Sequence, residues 1–443
     1  MSDAAFDPLC PGCRRRPAAP VPVGPWRRLM QRPSRIICAA LALGVVLGGL
    51  ALPVEGLAET RAGDNADAPT GDHMAEAARL AAEAAALEAS GRLAEAEARY
   101  RAAVEIDREA PGPRQPEMME RLESLIWLLV QQERFDAAES VMRESVAMTR
   151  ELRGPAHPEL AERLNIQASL LRATERDAEA VPLYREILDI AREAWGPRDL
   201  IVANALDNLS LALWRTGQLE EAEQHLREML EIIREALGPG DRYEATGLIA
   251  LAAVLMDMER HAEAEAQLRR ALEIGHGALH PRGEQVQTAM MALGYVLQQL
   301  GRHGEAEEVL LELLEIRHAT LSPRHPQVAD TLNGLASVML QTEREAEAER
   351  LLREVLDIRR ETLDPRDPDL ARSLNTLALL LDRTGGAAEA GPLFLQALEI
   401  MRAALGDDHP ETRAVAEGAL AHLREYLPAH PDLAALSAAF PGL

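Results

Sequence analysis

The sequence of 443 residues contains no lysine, and all 47 of its basic residues are arginines. Without lysine the chain cannot form a Walker-A phosphate loop, a catalytic Schiff base or the lysine–phosphate contact of protein kinases. Aromatic residues make up only 3%, which argues against a base-stacking platform for single-stranded nucleic acid. The net charge of -25 argues against nucleic acid in general, because its phosphates require a basic surface. The sequence therefore predicts no nucleic-acid partner.

Cysteine is also scarce, and the three cysteines lie near the N-terminus at Cys10, Cys13 and Cys38. Cys10 and Cys13 have the spacing of a metal or redox pair. No histidine or second cysteine pair lies near them in the sequence, whereas zinc requires four ligands. No HExxH, GxSxG, GxGxxG or EF-hand pattern occurs. We therefore expect no enzyme activity, no metal and no cofactor.

The first 58 residues have the three parts of a secretory signal. Seven arginines precede an uncharged hydrophobic run over 36–52, and Pro53 is followed by the small residues Gly56 and Ala58. As a helix this run is about 25 Å long, against about 30 Å of membrane hydrocarbon, so the alternative to a cleaved signal is a retained membrane anchor. Both alternatives place the rest of the chain outside the cytoplasm, in the periplasm, secreted or anchored in the inner membrane. Met30 begins a compact signal of its own, which gives the hypothesis that translation starts there.

Residues 59–72 are polar and rich in Gly, Ala and Asp, which predicts a flexible linker. Without residues 1–58 the chain keeps 69 acidic and 40 basic residues, a net charge of -29. Such a surface attracts basic segments and repels anionic membranes. The sequence thus predicts a protein or peptide partner with basic segments, and membrane contact only through an uncleaved anchor.

A repeat of 42 residues occupies most of the remaining chain. Apolar columns at seven-residue spacing, such as Leu164 and Leu171, recur in each unit and predict one stripe of a helix. Self-similarity of this period predicts a solenoid. The repeat is marked by prolines at Pro113, Pro155, Pro197, Pro239, Pro281, Pro323 and Pro365. A column that holds only alanine predicts a close approach of two helices, and its members are Ala96, Ala138, Ala180, Ala222, Ala264, Ala306, Ala348 and Ala390.

Each unit is therefore predicted to be a helical hairpin, and stacking the hairpins buries one continuous core. We expect an all-α fold, with one solenoid over 73–426 instead of two or three globular domains. Residues 427–443 are predicted to cap its last apolar face with Leu433, Leu436 and Phe440. Helix N-caps are predicted at a repeat position that alternates between histidine and aspartate, occupied by His157, Asp199, Asp241, His325, Asp367 and His409.

The units read HPELAERLNIQASLL followed by EAVPLYREILDIAREAWG, and HPQVADTLNGLASVML followed by EAERLLREVLDIRRETLD. They resemble the 42-residue tetratricopeptide repeat (TPR) of the kinesin-light-chain type. The resemblance implies a right-handed α-solenoid, the TPR superhelix, with about eight full repeats and a terminal helix. It also implies an interaction scaffold that holds an extended peptide or helix in a concave groove lined by the first helix of each hairpin.

The resemblance assigns groove positions residue by residue. They fall at Trp127, Glu162, Asn165, Arg172, Asn204, Asp207, Trp214, Arg215, Tyr295, Asn333, Arg372 and Asn375, with Leu211, Met256, Asp330, Leu379 and Arg383 on the same face. Asparagine can pair with a peptide backbone, and the alternative is that these amides order the stack. The aromatics suit a binding anchor, and the alternative is core packing. The lysine clamp of some relatives is absent, so only arginines (Arg172, Arg215, Arg372 and Arg383) remain to hold an acidic group.

The predicted function is a non-enzymatic protein-interaction scaffold, exported from the cytoplasm, that binds an extended peptide or helix in this groove. The alternative is an accessory subunit of an envelope enzyme or secretion assembly, in which a partner performs the chemistry.

Overall fold

The computed structural model describes residues 71–110, 116–278 and 282–443. The predicted signal or anchor, the Met30 start and the linker as far as residue 70 lie outside these residues. Within them the chain forms eighteen helices and no strand. None of these helices is both long and apolar enough to cross a membrane. The helices are α1 (Gly71–Ala89), α2 (Leu93–Glu109), α3 (Pro116–Gln131), α4 (Phe135–Arg153), α5 (Pro158–Ala173), α6 (Asp177–Trp195), α7 (Leu200–Arg215), α8 (Leu219–Leu237), α9 (Arg242–Asp257), α10 (His261–Ala278), α11 (Glu284–Gln299), α12 (His303–Thr320), α13 (Pro326–Gln341), α14 (Glu345–Thr362), α15 (Pro368–Thr384), α16 (Ala387–Leu405), α17 (Pro410–Tyr426) and α18 (Pro431–Ala439).

Contacts divide the described helices into two units. The larger unit ends at Arg344 and contains α1 to α13, and the smaller unit begins at Glu345 and contains α14 to α18. In the larger unit, the odd-numbered first helix of each hairpin from α3 to α11 packs against the second helix of its own hairpin and that of the preceding hairpin. In the smaller unit, α15 packs in this way against α16 and α14. The predicted fold class, an all-α solenoid of stacked helical hairpins, is confirmed.

The second helices begin 42 residues apart along the whole described chain, from Leu93 to Ala387. All eight residues of the alanine column lie near the start of these helices, and each is fully buried. A larger side chain would overpack this position, which explains why the column contains alanine only.

Six first helices begin at the predicted side-chain caps, whereas α11 begins after Gly283 without one. Nδ1 of His157 accepts the backbone N–H of Glu159 at 3.2 Å, and Oδ1 of Asp199 accepts that of Ile201 at 2.8 Å. Each cap satisfies one N–H group that has no partner within the helix. The same bond forms at Asp241, His325, Asp367 and His409.

The turn inside each hairpin requires one residue in the left-handed region. Glycine supplies it at Gly91, Gly217, Gly301 and Gly385, with φ between 73 and 92°. In the other four repeats a glutamate adopts the same conformation, with φ between 56 and 61°, although only glycine does so without steric cost. These residues are Glu133, Glu175, Glu259 and Glu343.

The C-terminal segment buries apolar side chains of α18 and the residue after it. Leu436 is 7% exposed and Phe440 is fully buried, while Leu433 is half-buried. The guanidinium of Arg402, on α16, lies 5.6 Å from the centre of the Phe440 ring. The capping role of residues 427–443 stays a prediction.

Candidate functional site

Each first helix of the larger unit carries a stripe of four side chains at i, i+3, i+7 and i+10, which fall on one side of a helix. We call the stripes of α3 to α13 in this unit the first-helix face. Its members are Glu120, Glu123, Trp127 and Val130 on α3; Glu162, Asn165, Ser169 and Arg172 on α5; Asn204, Asp207, Leu211 and Trp214 on α7; Thr246, Ile249, Ala253 and Met256 on α9; Thr288, Met291, Tyr295 and Gln298 on α11; and Asp330, Asn333, Ser337 and Leu340 on α13.

Charge is distributed unevenly over this face. The stripes of α3, α5 and α7 contain four carboxylates, and Arg172 is their one cation. The stripes of α9 and α11 contain no charged residue. Ile249, Ala253 and Met256 are buried, at 4%, 3% and 6% exposure, and form an apolar floor on α9. We call the stripes of α3, α5 and α7 the acidic half and those of α9 and α11 the apolar half, and the stripe of α13 adds the carboxylate of Asp330.

Two carboxylates of the acidic half have no direct partner among the residues that the structure describes. Glu162 is exposed and Asp207 is half-buried, and neither makes a hydrogen bond or an ion pair within 4 Å. Desolvation raises the pKa of Asp207 to about 6, although the positive charge of Arg172 opposes the shift. Desolvation also raises the pKa of Glu162, against the charge of Arg163. A cation brought to this surface would relieve both carboxylates.

The three candidate aromatics lie at the surface instead of in the core. Trp127 is 50% exposed, and Trp214 and Tyr295 are half-buried. Core aromatics of the same chain are buried far more completely, as Tyr184 is at 1%. The indole N–H of Trp214 donates to Oδ2 of Asp257 at 2.7 Å and so joins α7 to α9.

The candidate arginines of α5 and α7 are held by a carboxylate of the chain itself. Nε of Arg215 donates to Oδ2 of Asp177 at 2.7 Å, and Nε of Arg172 lies 3.6 Å from Oδ1 of the same side chain. Asp177 is the first residue of α6 and is only 7% exposed. Asp177 is therefore shared by both predicted anion-binding arginines of the larger unit and compensates one of their two positive charges.

The arginines of the smaller unit are engaged in the same manner. Arg383 lies 2.8 Å from Glu345, which repeats the Arg215–Asp177 pair four repeats later. Nε of Arg372 donates to Glu411 at 2.8 Å, and the same side chain contacts Asp369. Asn375 is 1% exposed and its Oδ1 is buried without a hydrogen-bond partner among the described residues. Leu379 is half-buried. Because Asn375 is buried, it is not accessible to a ligand, unlike the exposed Asn165 at the same repeat position.

The remaining amides differ in exposure. Asn165 is exposed, whereas Asn204 and Asn333 are half-buried. Oδ1 of Asn204 accepts from Asn208 on its own helix at 3.3 Å. In the described part of the chain, the side chains of Asn165 and Asn333 form no hydrogen bond with a neighbouring hairpin. The stack-ordering alternative therefore finds no support at these two positions.

Sequence reasoning missed a ladder of ion pairs between consecutive hairpins. An arginine immediately before a second helix bonds to a glutamate 37 residues earlier, on the preceding second helix. The pairs are Arg134–Glu97, Arg176–Glu139, Arg260–Glu223, Arg302–Glu265 and Arg344–Glu307. We call them the arginine ladder. The constant spacing of 37 residues is the sequence signal that would have revealed it.

The ladder is interrupted once, where Gln218 and Val181 occupy the two positions. Val181 is buried at 4% exposure, so the missing arginine coincides with a missing carboxylate. An uncompensated carboxylate at this buried position would cost free energy, which explains why both charges are absent together.

The sequence analysis also missed buried polar pairs between hairpins. They occur in only a few repeats, where they replace apolar residues, so they produce no repeating pattern in the sequence. Arg121 donates to Asp107 at 2.5 Å, and both side chains are nearly inaccessible. At the equivalent position two-thirds of the way along the chain, Arg317 donates to Oγ1 of Thr331 at 2.7 Å. Burial lowers the pKa of Arg317 to about 10. These pairs stabilise the stack but lie outside the first-helix face.

Other sites for chemistry are weaker. An open depression between α4, α5 and α6 is lined by Glu139, Arg143, Arg176 and Glu179 among others, but Arg176 already binds both glutamates. No three His, Cys, Asp or Glu side chains of residues 71–110, 116–278 and 282–443 are grouped so that they could hold a metal. The first-helix face thus remains the candidate site.

A tetratricopeptide repeat profile matches residues 73–151, 122–193, 201–275, 285–361 and 335–403. These matches span well over half of the sequence, and the chain belongs to the tetratricopeptide repeat family, as predicted. No curated protein matches the chain.

Two solved structures with TM-scores of 0.50 and 0.51 share the fold. A signal transduction ATPase with a tetratricopeptide repeat sensor from Pyrococcus horikoshii has a TM-score of 0.51 and 15% identity, over 71% of this chain and 46% of that one. RapI without ligand has a TM-score of 0.50 and 13% identity, over 64% of this chain and 97% of its own. Nearly identical TPR-like repeats of a kinesin light chain from Podosopora anserina reach a TM-score of 0.43 and 22% identity, over 46% of this chain and 97% of that one. Identities this low carry information on the fold alone.

Proposed function

We propose that this protein is a non-enzymatic interaction scaffold that binds an extended segment of a partner protein along the first-helix face. One observation carries the proposal: three of the chain's few aromatic residues lie accessible on this one face, whereas a core aromatic such as Tyr184 is only 1% exposed. Trp127, Trp214 and Tyr295 lie on three different first helices, so a single extended segment can reach more than one of them. Large aromatic side chains supply most of the binding free energy at protein interfaces.

We also propose that the scaffold works outside the cytoplasm, in the periplasm or beyond it. The arginine-rich segment, the hydrophobic run over 36–52 and the small residues that follow support this location. A reporter enzyme that is active only after export, fused behind Leu443, tests it. Activity is expected with the full chain and is expected to be lost when residues 36–52 are deleted. Reporter activity that survives this deletion would disprove the signal or anchor.

The binding proposal is tested by capture of partners with the full chain from an envelope extract. The variant Trp214→Ala/Tyr295→Ala is expected to lose the captured proteins while its circular dichroism stays helical. The matched control is Trp195→Ala, which removes a tryptophan that is 37% exposed at the end of α6, away from the first-helix face. If the double variant captures the same proteins as the wild type, the partner binds elsewhere.

A further inference from the structure

We infer that the partner segment is basic at one end and apolar at the other, with arginine or lysine side chains over α5 and α7 and apolar side chains over α9 and α11. This inference rests on the proposed function and specifies the chemistry of the same face. It commits to one occupant, a cationic and apolar extended segment of another protein.

The first reason is that the arginines near this face are already paired with carboxylates of the chain. Asp177 holds Arg172 and Arg215, and Arg163 lies 2.9 Å from Glu123. Behind them, the arginine ladder and pairs such as Arg185–Glu221 at 2.8 Å engage further arginines on the second helices. An acidic ligand would therefore have to compete with an internal carboxylate at each of these cations, with Asp177 shared between Arg172 and Arg215.

The second reason is that Glu162 and Asp207 on the face, and Asp257 beside it, are not paired with an arginine in return, although Glu123 of the same face lies 2.9 Å from Arg163. Among the described residues, Glu162 and Asp207 have no cation within 4 Å, and Asp257 is bonded only to the indole of Trp214. Desolvation raises the pKa of Asp257, and the bond from Trp214 opposes that rise. A cation placed beside Asp257 and over the ring of Trp214 would interact with both the carboxylate and the aromatic ring.

The third reason is the path that these carboxylates define. When the 42-residue period is subtracted, Asp207 lies three repeat positions closer to the C-terminal end of its helix than Glu162 does. Asp257 lies eight repeat positions further along than Asp207. At 1.5 Å per residue these steps are about 5 Å and about 12 Å, so the three groups cross α5, α7 and α9 obliquely. Neighbouring helices lie about 8–10 Å apart, so an extended chain of about 10 residues spans α5 to α11.

The fourth reason is the change of character beyond α7. Met256 and Ile249 line the floor, and Met291 and Tyr295 remain half-buried on α11, with no charge in either stripe. Burying a charged side chain there would cost free energy without a partner, whereas an apolar side chain gains from the transfer. The two halves therefore select different side chains from one segment.

The inference is tested with the full chain and a fluorescein-labelled peptide of about 12 residues, which is long enough to span α5 to α11. Its first half carries three arginines and its second half carries three leucines, on a serine background. Two further peptides replace the arginines with glutamates or the leucines with serines. Fluorescence anisotropy at low and high salt measures the affinity of each peptide.

The protein variant is Glu162→Gln/Asp207→Asn/Asp257→Asn. Its matched control is Glu151→Gln/Glu193→Gln/Glu220→Gln, which removes the same charge from exposed second-helix positions without a bond in the described structure. We expect the basic–apolar peptide to bind, to bind more weakly at high salt, and to lose about tenfold or more in affinity with the face variant but not with the control.

Two results would overturn the inference. One is equal or tighter binding of the glutamate peptide, and the other is equal binding of the basic peptide by the face variant and its control. If either of these results is obtained while Trp214→Ala/Tyr295→Ala still abolishes capture from the extract, the proposed function stands. Only the inferred chemistry of the partner segment is then wrong. If no peptide binds, the assigned chemistry is likewise rejected, and the capture experiment alone decides the proposed function.

Discussion

The indole N–H of Trp214 donates a 2.7 Å hydrogen bond to Oδ2 of Asp257, and this bond joins two first helices directly. Most contacts between hairpins in the larger unit instead pass through a second helix. Asp257 is exposed and Trp214 is half-buried, so both groups remain open to solvent and to a ligand. The pair thus links α7 to α9 and places an aromatic ring beside a carboxylate at the border of the acidic half.

A double-mutant cycle of Trp214→Phe and Asp257→Asn measures this link. We expect each single change to cost little and the coupling free energy of unfolding to be about 0.5–1.5 kcal/mol, the usual net value of one hydrogen bond. Chemical denaturation of the four proteins provides the measurement. Trp127→Phe is the control, because Trp127 is 50% exposed and makes no hydrogen bond in the described structure. Additive effects of the two changes would show that the bond contributes nothing.

Asp207→Asn is expected to stabilise the protein at neutral pH, because the native state holds this carboxylate in a desolvated site. The pKa of Asp207 rises from 3.8 to about 6 on folding, so the native state binds more protons between these values and wild-type stability falls as the pH rises through them. The variant lacks this loss and should gain about 1–3 kcal/mol above pH 6. Asparagine already occupies the same repeat position at Asn165 and Asn333.

Denaturation of wild type and Asp207→Asn at about pH 4 and about pH 7.5 checks this prediction, since the difference should shrink towards acid. An equal difference at both pH values would show that the carboxylate does not titrate as described. A residue that weakens the fold but lies on the candidate surface is one expected to be kept for binding.

The hairpin fold and its caps were predictable because their signals are local and repeat throughout the chain. The histidine or aspartate before each first helix needs only its own helix N-terminus to make the bond seen at His157 and Asp199. The alanine column needs only a constant helix–helix distance. Each of these features depends only on the geometry of one repeat, so its recurrence in several repeats gives independent evidence for the same hairpin.

The state of each groove side chain was not predictable, because it depends on what the neighbouring hairpins place beside it. Asn165 and Asn375 share one repeat position, yet the first is exposed and the second is 1% exposed. Arg172 and Arg215 were predicted to hold an acidic group of a ligand. Instead both lie beside Asp177, which belongs to the second helix α6 and not to the first-helix face. A repeat position predicts which side of a helix a residue occupies, but not its partner.

Restoring the missing rung of the arginine ladder tests whether the ladder stabilises the stack. Val181→Glu alone should destabilise the protein by about 1–3 kcal/mol, because it places a carboxylate at a site where valine is only 4% exposed. Adding Gln218→Arg should recover most of this loss, since arginine at this position binds the glutamate 37 residues earlier elsewhere in the unit, as in the 2.7 Å Arg302–Glu265 pair. Chemical denaturation measures both, and Gln218→Arg alone is the control. No recovery in the double variant would mean that the ladder depends on local packing instead of the pair.

Glu175→Gly is expected to stabilise the larger unit. Glu175 has φ of 59° at the turn between α5 and α6, where Gly217 and Gly301 of other repeats have φ of 79 and 73°. A residue with a Cβ atom pays about 1–2 kcal/mol for this conformation, while glycine adds entropy to the unfolded chain, so the net gain should be about 0.5–1 kcal/mol. The reverse change, Gly217→Glu, should destabilise by a similar amount, and a Cβ at Gly217 meets no atom within 4 Å, so the effect isolates the backbone. Thermal unfolding of both variants provides the measurement. A lower midpoint for Glu175→Gly than for the wild type would contradict this explanation.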